Sequence, residues 1–62
     1  MFKEYDVVIA KNELPTVPKG SVGTILIIYE SSYDFEVEFM DEEDNIIDIL
    51  TVNSKDLEKK DA

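Results

Sequence analysis

The chain contains neither cysteine nor histidine. Without cysteine there is no disulfide framework, and without either residue a zinc ion finds no sulfur or imidazole ligand. Arginine is missing as well, so all six basic residues are lysines; they face fifteen acids, for a formal net charge of -9 and a sequence pI near 4.1. A field of that sign repels phosphate backbones, which are bound by releasing counterions to Lys and Arg, and so disfavours nucleic acid as a partner. It favours a basic protein partner, or, on the plainer reading, serves solubility alone.

Long hydrophobic runs are also lacking. The longest, Ile25 to Tyr29, falls far short of the roughly 20 apolar residues that span a bilayer, so no membrane contact is expected. The start, MFKEYDVVIAKNELP, holds only Val7-Val8-Ile9-Ala10 between charged residues, whereas a secretory signal needs an apolar core of roughly 7 to 15 residues. A cytoplasmic protein is the expectation. No internal repeat, linker or helical period of useful length breaks the chain, which predicts a single domain over residues 1–62, with 58–62 either a short last strand or a frayed tail. A domain this small buries only about 60% of the surface its unfolded chain exposes, so its stability rests on core packing.

What is present reads as strands. Tyr5 to Ala10 is rich in β-branched residues, and Val22 to Glu30 is the longest run of strand formers. From Tyr33 to Met40 the alternation predicts Tyr33, Phe35, Val37 and Phe39 on the core side and Asp34, Glu36 and Glu38 in solvent. Asp41 to Asn45 forms a polar turn into Ile46 to Val52, where Asp48 marks a solvent face, and Ser54 is placed to cap a single helical turn ending at Leu57.

The only two glycines stand three residues apart in PTVPKGSVGTILIIYE. Pro18 fits the second position of a type I turn, or Gly20 supplies the positive φ of a type II turn with Lys19 before it. Gly23 falls inside the following strand, where a missing side chain permits a bulge or the close approach of other chain. A long loop from Lys11 thus hands over to a bent strand, the device by which a small sheet curls. The fold class expected is all-β: a small SH3-like, partly open five-stranded barrel with a short helical turn near the C-terminus.

The start MFKEYDVVIAKNELP, the PKGSVGTI turn, the strand YDFEVEF and the ending LTVNSKDLE resemble a small bacterial family catalogued as domain of unknown function 4926. The resemblance covers nearly the whole chain and implies an SH3-like barrel, with no established activity or catalytic residues to carry over. The KGxxGT segment alone is similar to the KOW turn of ribosomal and transcription-factor barrels, yet only Lys11 and Lys19 flank the loop where such a surface needs cations.

Catalytic chemistry has little to work with. The remaining nucleophiles and bases lie in no GxSxG or phosphate-loop motif. A carboxylate-pair hydrolase would have to draw on Glu36, Glu38 or Asp48, and 62 residues scarcely enclose a cleft that shields such acids. Asp41-Glu42-Glu43-Asp44 offers oxygen ligands for calcium, but consecutive acids diverge and the spacing of an EF-hand loop is missing. No enzymatic activity, cofactor or metal is expected.

Binding is the better prospect. Tyr29 and Tyr33 flank the Glu30-Ser31-Ser32 turn as half-exposed anchors; Asp34, Glu36 and Glu38 form an acidic strand face, and Asp41, Glu42, Glu43 and Asp44 extend it around the next turn. Ile25 to Ile28, and Ile46-Ile47 with Ile49-Leu50, are apolar on both strand faces, so either the strands bend or another chain, including a second copy in a homodimer, covers one side. The function expected is a non-enzymatic acidic protein-interaction module, of the antitoxin or immunity type, for a basic protein. The alternative is a KOW-like accessory factor contacting RNA, ribosome or polymerase.

Overall fold

A computed structural model describes residues 1–60. The alternation in DFEVEFM produces a central strand, β3 (Asp34–Met40), whose Phe35, Val37 and Phe39 are fully buried. Around it lie β1 (Val7–Ala10), β2 (Val22–Ile28), β4 (Ile46–Asn53) and β5 (Leu57–Lys59), with a 3-10 turn at Ser54–Asp56 before the last strand. All pairings are antiparallel, in the order β4-β3-β2-β1-β5. The fold is therefore all-β, one five-stranded sheet that stays open between β4 and β5, in keeping with the SH3-like arrangement. No described helix is long and apolar enough to cross a membrane.

The core is built from one face of the curled sheet plus a plug from the long first loop. Val8, Ile25, Val37 and Phe39 are inaccessible to solvent, and the loop inserts Val17 beside them, fixed by paired backbone bonds between Leu14 and Val17. Phe2 closes one end with its ring edge-on to Phe35, centroids 5.3 Å apart.

Several boundaries differ from the expected ones. The first strand begins at Val7 rather than Tyr5, because residues 3–6 turn: the Lys3 amide donates to Asp6 Oδ2 at 2.8 Å, the Asp6 amide to the Lys3 carbonyl at 3.1 Å, and Tyr5 takes a φ of 69°. The helical turn is capped by Asn53, whose side chain accepts from the Lys55 amide at 3.0 Å, and not by Ser54. Glu58 and Lys59 are not frayed; they pair with Ile9 and Val8 in β5, while the expected tail at 61–62 lies outside the described residues.

Gly20, with φ of 91°, sits one residue after Lys19 in a turn whose Pro18 carbonyl accepts from the Ser21 amide at 3.1 Å, which is the type II alternative. The bulge of β2 is at Leu26, where the register with β3 slips between Ile25 and Ile27, and not at Gly23. Gly23 instead makes room for side chains: a β carbon there would stand 2.7 Å from Val37 Cγ1 and 2.8 Å from Phe39 Cδ1. A second bulge leaves Ile47 unpaired, as Asp48 opposes Phe39 and Ile46 opposes Met40. In the two runs read as apolar on both strand faces, Ile28, Ile47 and Leu50 pack against the core beside buried Ile25, and Leu26 is half-buried, while Ile27, Ile46 and Ile49 remain exposed.

Candidate protein-interaction face

The convex outer face of β2, β3 and β4 carries the charged residues read from the sequence together with apolar neighbours that strand register brings beside them. Val22, Met40 and Ile46 form one row across the three strands; Thr24, Glu38 and Ile49 the next; Ile27, Glu36 and Thr51 the third; and Asp34 meets Asn53 at the end. Ile46 is 57% exposed, Ile27 46% and Ile49 42%, so aliphatic surface frames Glu36 and Glu38 on both sides. The two glutamates point away from the core as the alternation predicts, but they are half-buried among these neighbours rather than free in solvent.

Glu36 is positioned. Its Oε1 accepts from the Thr51 hydroxyl at 2.7 Å and from the Tyr29 hydroxyl at 3.2 Å, which leaves Oε2 without a donor among the described residues. Desolvation, and then the hydrogen bond to Glu36 and its charge, raise the Tyr29 phenol above its ordinary value of 10.0. Glu36→Gln should lower the pKa of the Tyr29 phenol relative to wild type, as read by spectrophotometric titration; an unchanged Tyr29 titration would remove Tyr29 from this contact.

Tyr33 is elsewhere. It is 66% exposed and lines an end groove of about 500 Å³ with Met1, Phe2, Ile28, Ser32 and Ser54, beside the ring of Phe2 that covers the core. Tyr29 and Tyr33 thus do not form one pair of anchors: Tyr29 belongs to the face that bears Glu36, Tyr33 to the end of the sheet. The Ser32 φ of 65° and the bond from the Ser32 amide to the Tyr29 carbonyl, 2.8 Å, turn the chain between them.

The remaining acids divide into structural and free groups. Asp34 accepts from Asn53 Nδ2 at 3.2 Å and from the Ser31 hydroxyl at 3.4 Å, tying β3 to β4 and to its preceding turn. Asp41 folds into its own turn: Oδ1 accepts the amides of Asn45 and Glu43 at 2.9 and 2.8 Å, and these bonds hold its carboxyl below the ordinary value. Glu42, Glu43 and Asp44 are exposed, and among the described residues no three acids converge as a metal site requires. A groove of about 410 Å³ between this turn and the Gly20 turn combines Val22, Met40 and Ile47 with Lys19, Asp41 and Glu42. The sequence reading missed it because its two sides come together only through β2–β3 pairing.

Asp48 is not on a solvent face. It opposes Phe39 on the core side of β4 and accepts from the Thr16 hydroxyl at 2.6 Å and the Ile49 amide at 2.8 Å, which lower its pKa. A signal was present in the two-residue period, since Val52 and Leu50 lead inward to position 48.

Among the described residues one ion pair joins Lys59 to Asp6 at 3.5 Å, so few of the acids are locally neutralised. The melting temperature should therefore rise as monovalent salt increases from low to physiological levels, because screening relieves the self-repulsion of a body carrying -9 charges. A flat or falling curve in differential scanning calorimetry would contradict a single-sign surface.

No curated protein and no solved structure matches the chain. One family model does, over residues 4–59, and its description is "Domain of unknown function (DUF4926)". With the match running from the turn before β1 to the last residue of β5, the chain belongs to the DUF4926 family.

Proposed function

We propose that this domain is a non-enzymatic interaction module that docks a basic protein on the outer face of β2, β3 and β4, in the manner of an antitoxin or immunity protein covering a cationic surface. The observation that carries the reading is the framing of Glu36 and Glu38 by exposed Val22, Ile27, Ile46 and Ile49. Lysine and arginine side chains match such a surface because their aliphatic stems cover apolar groups while the charged head reaches a carboxylate. Glu42, Glu43 and Asp44 add a long-range field that speeds encounter without contributing much to the final contact.

The KOW-like alternative draws no support from the loop it depends on. Lys19, the lysine of the KGxxGT turn, shares its groove with Asp41 and Glu42, which cancel the positive field that a phosphate backbone requires.

The test is capture with the wild-type domain and with Glu36→Lys/Glu38→Lys as baits, at low and high salt, followed by mass spectrometry and stopped-flow kinetics with the captured protein. Both side chains lie off the core, so the variant should keep the wild-type circular dichroism spectrum. Association should slow by about tenfold or more and lose most of its salt dependence. A captured partner that binds the folded variant at the wild-type rate would reduce the acidic face to a solubility device.

A further inference from the structure

The sheet ends at β4, and the direction of its backbone groups identifies what that edge offers. The Ser54 amide donates to the Tyr33 carbonyl at 2.7 Å, and the register continues as Asp34–Asn53, Phe35–Val52 and Glu36–Thr51. Hydrogen-bonded and non-hydrogen-bonded pairs alternate along an antiparallel ladder, so Val52 and Leu50 turn their amides and carbonyls toward β3, whereas Asn53, Thr51 and Ile49 turn theirs to the open edge. Asp48 already occupies the Ile49 amide. Thr51 is left with its amide and carbonyl directed outward and Asn53 with its amide, its carbonyl being the one that opens the 3-10 turn, on the longest strand of the sheet, while the opposite edge, β5, has three residues.

Exposed edges are commonly blunted by lysine or proline, and β4 contains neither; it relies on the bulge at Ile47 and the inward Asp48, both at its first half. The second half is unguarded. Resting on the reading above, we propose that this half of β4 receives an extended segment of the basic partner as a sixth strand, laddered on Thr51 and Asn53.

Register defines the chemistry of that segment. Residues directly opposite Ile49 and Thr51 would share the outer face with them, and Glu38 and Glu36 lie immediately behind in the same rows. Neighbouring strands are about 4.8 Å apart, so the glutamate strand lies about 10 Å from the added one, a span bridged by a lysine or arginine leaning over Ile49 or Thr51 toward a glutamate leaning back. Thr51 already draws the Glu36 carboxylate toward β4. The residue between those two cations would fall opposite half-buried Leu50 on the core side and so be apolar. The ligand class is a strand of alternating basic and β-branched residues.

The probe is an end-blocked octapeptide alternating lysine with valine and threonine, titrated into the isotope-labelled full chain. Three controls accompany it: a block isomer of the same composition and two versions N-methylated on alternate amides. At saturation, hydrogen exchange of the Thr51 and Asn53 amides should slow by about tenfold or more, one N-methylated version should lose binding, and the other should keep it. Binding that perturbs Ile27, Glu36 and Glu38 while leaving those two amides unprotected would overturn the sixth strand yet keep the docking face. Binding of the block isomer as tightly as the alternating one, or no binding of the alternating one at millimolar concentration, would also overturn the sixth strand. Unchanged binding to Glu36→Lys/Glu38→Lys would instead count against the face itself.

Discussion

Gly23→Val should remove most of the protein's folding stability. The β carbon alone would stand 2.7 Å from Val37 Cγ1 and 2.8 Å from Phe39 Cδ1, both fully buried on the central strand. Neither neighbour is the loose end of a flexible chain. Phe39 is a rigid ring against the core and Val37 is β-branched, so relief requires the β2–β3 pair to separate. Valine adds two further methyl groups at the same point. A loss of about 3 kcal/mol or more is expected, against the roughly 3 to 5 kcal/mol that a core of this size supplies. Gly23→Ala should lose about 1 to 3 kcal/mol by the first part of the same clash. Gly20→Ala is the control for backbone strain: nothing lies within 4 Å of its added carbon, and only the φ of 91° resists it, at about 1 kcal/mol. Urea midpoints should fall in that order, with Gly23→Val lowest; an unchanged midpoint for Gly23→Val would mean that β2 and β3 do not pack at the depth described.

The same glycine shows what a strand pattern discloses and what it withholds. That position 23 needs a missing side chain was legible, because a glycine within a run of strand formers has few other uses. That the space serves Val37 and Phe39 was not, since it depends on which residues of β3 lie opposite, and the pattern of one strand carries no register. The bulge at Leu26 was hidden for the same reason: Ile25 to Ile28 is uniformly apolar, so a slip of one residue leaves no mark in the sequence. Alternation failed at Tyr33 because the strand begins one residue later and the turn at Ser32 frees the tyrosine from the pleat.

The proposed docking face was half legible in an analogous way. Glu36 and Glu38 followed from their own strand, but their aliphatic frame is assembled from Val22 and Ile27 on one side and Ile46 and Ile49 on the other. The sequence marked Ile27, Ile46 and Ile49 as parts of runs apolar on both faces, but not as neighbours of the glutamates. Asp48 and Thr16, 32 positions apart, illustrate the limit: one hydrogen bond joins the long loop to the edge strand, and neither residue signals the other.

That bond also takes part in the response to acid. Asp48, Asp41 and Asp6 all have carboxyl groups held below their ordinary value of 3.8: Asp48 by the Thr16 hydroxyl and then the Ile49 amide, Asp41 by the Asn45 and Glu43 amides, Asp6 by the Lys3 amide with help from Lys59. A carboxyl whose folded pKa lies below its unfolded one binds fewer protons in the native state. Its contribution is therefore fully present above about 3.8 and disappears as pH falls through the lower folded values. Loss of these bonds would release the first loop from β4, open the turn between β3 and β4, and loosen the entry to β1, three places at once in a domain with little stability to spare. Acid unfolding is accordingly expected below about pH 3.8, while the range just above should be neutral or favourable because the net negative charge shrinks there. Asp41→Asn/Asp48→Asn provides the test. An amide oxygen at position 41 still accepts the Asn45 and Glu43 amides, and one at position 48 still accepts from Thr16 or Ile49, but neither titrates. Circular dichroism against pH should show the double variant less stable than wild type at pH 7 and unfolding over a shallower acid transition, the two curves converging as pH drops. Parallel curves across the acid range would mean that these carboxylates keep the same proton affinity in the folded and unfolded chain, and the hydrogen bonds assigned to Asp41 and Asp48 would have to be withdrawn.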